Sequence, residues 1–381
     1  MYINNKKNNN RNKKMKINLK LTSTVLLSFL ICFNTLEGAS KKRIGTAGAQ
    51  ELLIPVGARN ISMSCAFMAG ITGVEAAAWN PAGVSGIEGA GQAMFSHTNW
   101  LAGIGVNYAA VASKFNGESY FGLTARTLDF GSIPITTTED PDGTGATFTP
   151  SYVTLGFLFS KQMTNRIRFG ADFKIIDEGI MRVNATGFVI DAGVQYASSA
   201  GNIKLGAALK NLGLNMNFGG PDLEEFHSPE GSEPGTPNEP RRVQLQDFEM
   251  PTTLELAVAY GAINVGPGEV NLGASFLNNN FSFDEYRFGG EMTLFDILAL
   301  RTGLAISYDP EPFGADGIEG TADDDSDEQF EYESEEFLWG PTFGFGINTQ
   351  SFTNLNITVD YAYRATAIFE DTQWLTVSFG F

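Results

Sequence analysis

The side chains able to do chemistry in this chain are few, and most of them are acids. Two histidines, His97 and His227, stand far apart without a visible partner, and no G-x-S-x-G elbow, P-loop or H-E-x-x-H run occurs. A Ser/His pair assembled in space around His97 is the one hydrolase arrangement left, and the chain reads as non-enzymatic. The carboxylates are concentrated: residues 309–336 hold 13 acids and no base, and 219–250 hold eight acids and two arginines. In the first stretch, "GADGIEGTADDDSD" mixes Asp and Gly as carboxylate-rich calcium loops do, with Asp316, Asp323 and Asp325 as candidate oxygen ligands. The spacing is not that of an EF-hand, so calcium and a plainly solvated acidic loop both stand. Past position 40 only Cys65 remains, which excludes an internal disulfide and a cysteine metal cluster.

These residues need a frame, and the N-terminus says where it is built. Seven Lys/Arg precede the apolar run "LTSTVLLSFLICF", followed by "GAS", so residues 1–40 read as a secretory signal peptide cleaved near Ala39 or Ser40. Cys32 follows Ile31 rather than a small residue, which argues against a lipoprotein. The remainder carries 18 Lys/Arg against 42 Asp/Glu, a charge of about −24 that disfavours nucleic acid as a partner. No later apolar stretch reaches the roughly 18 residues of a membrane-crossing helix.

What recurs instead is alternation with period two. "RIRFGADFKI" sets Ile167, Phe169, Ala171, Phe173 and Ile175 on one face and Arg166, Arg168, Gly170, Asp172 and Lys174 on the other. Fourteen such strands are expected, near 91–100, 103–115, 118–130, 150–162, 165–177, 185–199, 202–218, 251–262, 268–280, 285–295, 297–309, 336–350, 354–366 and 371–381. Connections after even-numbered strands are short, and the long ones (131–149, 178–184, 219–250 and 310–335) all follow odd-numbered strands. Loops sorted by parity, with strands longer than soluble ones, predict an all-β fold: a 14-stranded antiparallel transmembrane β-barrel over 91–381 with long acidic extracellular loops. Its surroundings would be outer-membrane lipid and lipopolysaccharide, and its alternating last strand ending on Phe381 suits the outer-membrane assembly machinery.

The face opposite the Val/Leu/Phe stripe is charged. Charges against mid-bilayer lipid cost about 2–4 kcal/mol each, so Arg126, Arg168, Asp172, Lys174, Asp191, Glu255, Arg301, Asp360 and Arg364, together with Lys204, Lys210, Arg287 and Glu291, are expected to line the lumen as an ion-paired network. Residues 41–90 do not read as strand and are too small to form a core of their own. They are expected to pack inside the barrel as a plug, with Asn80 as N-cap, Pro81 opening a short helix broken by Gly83 and Gly86, and Trp79 as the one large anchor.

Three spaced blocks in this segment, Gly45 to Leu52, Gly57 to Phe67 and Trp79 to Gly83, resemble the N-terminal signature of the PorV/PorQ family, which is similar to FadL-type outer-membrane barrels. Ser64 stands where the family usually has Gly after the methionine, and Gly73 with Glu75 replace its acidic pair. The resemblance implies a hatch motif of Arg59, Met63, Trp79, Asn80, Pro81, Ala82 and Gly83, with Arg59 anchored on a lumen carboxylate. It implies a Bacteroidetes-like Gram-negative outer membrane and an accessory role in type IX secretion, whose partners are the translocon and the C-terminal domains of secreted cargo. The alternative is a FadL-like channel for hydrophobic small molecules. No cofactor beyond the calcium alternative is implied.

Overall fold

The computed structural model describes residues 45–227, 239–307, 338–350, 353 and 355–381. The expected signal peptide, the stretch 310–335 with Asp316, Asp323 and Asp325, and residues 228–238 lie outside the described residues.

Among the described residues fourteen strands close into one antiparallel barrel: β1 Gly91–Asn99, β2 Gly105–Asn116, β3 Ser119–Asp129, β4 Ser151–Gln162, β5 Ile167–Ile180, β6 Val183–Ala197, β7 Ile203–Gly213, β8 Thr253–Val265, β9 Gly268–Asn279, β10 Glu285–Leu294, β11 Leu298–Ser307, β12 Trp339–Asn348, β13 Asn356–Thr366 and β14 Thr372–Gly380. Each strand pairs with its neighbours in sequence, and β1 closes on β14 from Gln92 opposite Gly380 to Asn99 opposite Gln373. The Phe381 carbonyl accepts from the N–H groups of Ala90 and Gly91, at 2.8 and 2.9 Å, which finishes the seam. Closure is forced by chemistry, because a sheet edge in hydrocarbon would leave N–H and C=O groups without partners.

Alternation decides which face is which. Phe157, Phe173, Ile175, Phe288 and Phe343 are exposed on the outside, whereas Asp172, Asp191, Glu255, Glu291 and Asp360 are buried inside. An apolar exterior over a charged interior is the inverse of a soluble barrel and is the pattern of one that crosses an outer membrane. Phe115, Phe295 and Phe381, all strongly exposed, ring the short-turn rim as an aromatic girdle.

Two boundaries differ from the sequence expectation. Residues 178–184 are not a long loop: β5 and β6 run on as a hairpin, paired to Ile180 opposite Val183, and turn through Met181, whose φ is 54°. The alternation carries past the expected strand end, with Glu178 still buried on the inward face. β7 ends at Gly213 rather than near 218, two residues past a bulge at which Asn211 enters the left-handed region at φ 57° and the register against β6 shifts. The long connections are themselves partly folded, with hairpins Ile133–Pro134 against Thr147–Phe148 and Glu224–His227 against Glu239–Arg242.

A lipid-facing arginine should therefore act according to its depth. Phe173→Arg, at mid-strand, is expected to lower stability by about 2–4 kcal/mol and Phe115→Arg, at the rim, by about 0–1. Denaturant unfolding in lipid bilayers measures both, and equal losses would argue against this assignment of faces.

Candidate functional site

Residues 45–90 lie inside the barrel as a plug. It consists of single helical turns, Gln50–Leu53, Ala58–Ile61, Val74–Ala78 and Pro81–Gly86, joined by irregular chain. Such short turns leave most of their N–H and C=O groups unpaired, and a buried unpaired group costs about 1–3 kcal/mol. The barrel wall supplies the partners. Thr376 accepts from Ala58 N at 2.9 Å, Gln92 from Val74 N at 2.8 Å and Ser160 from Ser85 N at 3.1 Å. Thr342 accepts from Ser64 N and donates to Ser62 O, and Gln195 donates to the carbonyls of both Met68 and Ile71.

Asn80 ties the plug to the wall in both directions. Its backbone is extended (φ −146°) and its Oδ1 accepts from Ala82 N at 3.1 Å, so it caps the turn opened by Pro81. Its Nδ2 donates to Val194 O on β6 at 3.1 Å and to Ala207 O on β7 at 3.4 Å. The turn runs through Gly83 without breaking and ends, as expected, at Gly86; Gly83 is needed for space, since a Cβ there would strike the Ile71 carbonyl. Trp79 is buried with Lys210 Nζ 5.4 Å from its ring centre, and its indole N–H has no partner among the described residues.

The plug can come this close because the wall is bare where it passes. Gly170, Gly193, Gly206, Gly273, Gly289, Gly303 and Gly344 are inward positions where an added Cβ would fall within 3.0 Å of plug atoms from Ser62 to Ala82. Many face each other across the ladder: Gly170 opposite Gly193, Gly273 opposite Gly289, Gly289 opposite Gly303, and Gly344 opposite Ala362. Directly paired positions line up across the strands, so the missing side chains merge into a track around the lumen. In it lie the backbone of Met63, against Gly289 and Gly303, and that of Pro81 and Ala82, against Gly170.

Charge pairs flank the track. Arg59 donates to both oxygens of Glu291, at 2.8 and 3.1 Å, and Arg301 donates to Glu291 and to Asp360, each at 2.6 Å. Lys174 pairs with Asp191, Lys210 with Glu255 at 3.2 Å, and Arg287 with Glu285 at 2.8 Å. Asp172 is buried beside Thr124. Not every lumen base has an acid: among the described residues no carboxylate lies within ion-pair distance of Arg126, Arg168 or Arg364. Arg126 donates to the Glu51 carbonyl, Arg168 lies against Gly86, and Arg364 sits 4.8 Å over the Trp339 ring and 3.8 Å from Cys65 Sγ. A β-bulge on β7 turns both Lys210 and Asn211 inward, and Asn211 N donates to Asp191 at 2.8 Å. His97 faces outward and shares a hydrogen bond with Asn107 Oδ1 at 2.8 Å; among the described residues no serine or acid is hydrogen-bonded to it. The described residues contain no group of three metal-ligating side chains.

At the long-loop end, above the plug, opens a cavity of about 600 Å³. Its walls are Trp100, Phe130, Tyr152, Phe218, Phe248 and Trp339, and its floor is the plug from Ala47 to Ile54. The rings touch in pairs, Trp100 with Trp339 at 5.2 Å and Phe130 with Tyr152 at 5.0 Å between centroids. A narrower cavity of about 90 Å³ continues below it past Trp79 and Cys65. On the short-turn side of the plug lies a polar cavity of about 190 Å³ that includes Arg59, Glu75, Glu291 and Asp360. Sequence reading did not find Glu51, Glu178 or the aromatic walls, which gather from five separate connections and strand ends.

Glu75 is buried in the plug and accepts from Asn60 N at 3.1 Å. Burial first, and the charge of Asp360 second, push its carboxyl up to about 7. A carboxyl raised from 4.5 binds more protons in the seated plug than in a released one. Seating is therefore strongest below about pH 4.5 and weakens as pH rises through 7, by roughly 3 kcal/mol in all. Single-channel recording should show leakage growing between about pH 4.5 and 7 in the wild type and growing less over that range in Glu75→Gln. Gly303→Val should unseat the Met63 segment, raising conductance while the barrel still folds, and the outward-facing Gly290→Ala should not; overpacking of this kind costs about 1–3 kcal/mol. Unchanged conductance in Gly303→Val would remove the track from the account.

No family model and no curated protein matches this sequence. Solved structures similar to it include a Pseudomonas aeruginosa FadL homologue, at 12% identity over 85% of this chain and 98% of that one, with a TM-score of 0.47. The Pseudomonas putida toluene transporter TodX is 12% identical over 90% and 97%, TM-score 0.45, and the Acinetobacter baumannii outer membrane protein Omp33 is 8% identical over 78% and 100%, TM-score 0.38. What this chain presents by its own geometry is a plugged β-barrel of the outer-membrane type.

Proposed function

We propose that this protein is a FadL-like outer-membrane channel that collects a small hydrophobic or amphipathic molecule in its outer mouth and admits it past the plug. The aromatic cavity of about 600 Å³ above the plug carries this reading. Its size falls in the range of small-molecule sites, and its concave apolar lining with a few polar groups is what such sites share. A purely structural barrel has no use for a hollow at the one place where a molecule arriving from outside meets the plug. The plug then sets the second step: no broad pore passes it among the described residues, so passage requires the plug to shift.

Binding is read directly by quenching of Trp100 and Trp339 fluorescence with monoaromatic and medium-chain probes. Probe binding is expected in the wild type and a loss of roughly tenfold or more in Phe130→Ala plus Phe248→Ala, since each removes a wall of the cavity. Equal binding by both proteins would sink the reading.

The acidic connections favour a second reading, the type IX secretion accessory of PorV/PorQ type. Thirteen carboxylates without a base between 309 and 336 suit a protein partner better than an apolar collector. A pull-down with the tagged barrel separates the two: it should recover secreted proteins sharing a C-terminal domain, or a very large barrel, only if the secretion role holds.

A further inference from the structure

The outer mouth contains two acids that its aromatic walls do not explain. Glu51 on the plug and Glu178 near the outer end of β5 both line the cavity, and they are 4% and 3% exposed. Their carboxyls face one another closely enough to interact directly. Apart from that contact with each other, no described side chain donates to either oxygen of Glu51 or to Oε1 of Glu178. The nearby bases are otherwise engaged. Arg126 donates to the backbone carbonyl of Glu51 rather than to its carboxylate, and Arg287 is held by Glu285 at 2.8 Å with Glu255 at 3.8 Å. Three buried acceptor atoms thus open onto a cavity walled by aromatic rings.

We infer that the mouth selects an organic ammonium, a molecule whose cationic head sits between Glu51 and Glu178 and whose apolar body lies against the aromatic walls. The inference rests on the proposal that the mouth takes up a small molecule, and it names the class. A buried carboxylate is stable when a charged donor reaches it, and an ammonium is also attracted to the faces of aromatic rings. A neutral hydrocarbon would fill the hollow and leave the three acceptors dry. A carboxylate ligand would bring a further negative charge to a place that already holds two acids. A bare divalent ion would want six or more oxygens, and the described residues contain no group of three metal-ligating side chains here. The surrounding ionisable groups are Arg126 on β3, Tyr152 on β4, and Glu285 and Arg287 on β10. Of these only Arg126 brings an unbalanced positive charge, and its guanidinium points at the backbone beneath Glu51.

The experiment uses the full chain in lipid nanodiscs and four probes that share a phenylalkyl body: 2-phenylethylamine, its quaternary trimethylammonium analogue, ethylbenzene and 3-phenylpropanoate. Tryptophan quenching and calorimetry read the affinities. Both ammonium probes are expected to bind roughly tenfold or more tighter than ethylbenzene, with the anion weakest. In Glu51→Gln plus Glu178→Gln the affinities of the charged probes should converge toward that of ethylbenzene. The single variant Glu178→Gln, which keeps the plug intact, should lose part of the preference and serves if the double variant fails to fold. The inference is overturned if the anion binds as tightly as the ammonium, if the preference survives in the variants, or if calcium alone competes the ammonium away. Ethylbenzene binding without an ammonium preference overturns only this inference. Failure of all four probes to bind overturns the uptake reading with it.

Discussion

Everything in this structure follows from the requirement that a backbone removed from water must find its hydrogen bonds within the protein. The barrel meets it by closing, strand against strand, with β1 sealed to β14. The plug cannot meet it by itself, because turns of four to six residues satisfy few of their own groups. The lumen wall therefore has to act as the plug's solvent. Ser160, Gln195, Thr342 and Thr376 do what water would do in an open pore, at fixed positions and distances. A polar lumen in this protein is thus first a complement to a second piece of chain, and only where that chain is absent a lining for something else.

Besides apolar positions such as Met94, Leu158 and Trp374 that pack on the plug, three kinds of position recur on the inward face along the same strands. Where the plug backbone runs against the wall the position is glycine, where the plug backbone needs a partner it is a hydroxyl or an amide, and at the flanks it is a charge. β10 shows the sequence in four residues, with Arg287 paired to Glu285, then Gly289 under Met63, then Glu291 holding Arg59. The ion pairs are costly to bury, and breaking one leaves an uncompensated charge worth about 3–5 kcal/mol. Their value here is positional: Arg59 is joined to the wall through Glu291, which is itself fixed by Arg301.

Much of this was legible in the sequence, and the reason is periodicity. Strands that must satisfy lipid on one side and polar contacts on the other alternate so strictly that fourteen could be placed and their faces assigned, and "WNPAG" announced a capped turn. The glycine track was not legible, although Gly170 sits in the middle of a quoted strand. A bare position means a track only when its cross-strand partner is bare too, and pairing register is not printed in one strand's residues. The same holds for Glu51 and Glu178, separated by 127 positions and brought together by a hairpin that sequence reading took for a loop. Gly83 was misread because glycine in a short helix usually marks its end, whereas here it marks a close approach.

The floor of the mouth and the plug are one piece of chain, which would join recognition to passage in the proposed channel. The floor of the aromatic cavity, Ala47 to Ile54, continues directly into Gly57 and the Arg59 anchor. That floor is held from outside as well, by Gly45 N on Phe281 O at 3.2 Å and Gly48 N on Glu249 O at 2.9 Å. The only charged side chain it contributes is Glu51, whose carboxyl burial pushes up and whose carbonyl is held by Arg126 on β3. A molecule that changes the charge state or position of Glu51 therefore pulls on the same strand of chain whose next turn is bonded to Thr376 and whose arginine is bonded to Glu291. On the uptake proposed for the mouth, its occupancy would act on the seating of the plug through a few residues of continuous backbone, themselves tied to the wall by Trp374 Nε1 on Pro55 O at 3.1 Å and Gly57 N on Ser96 Oγ at 3.3 Å.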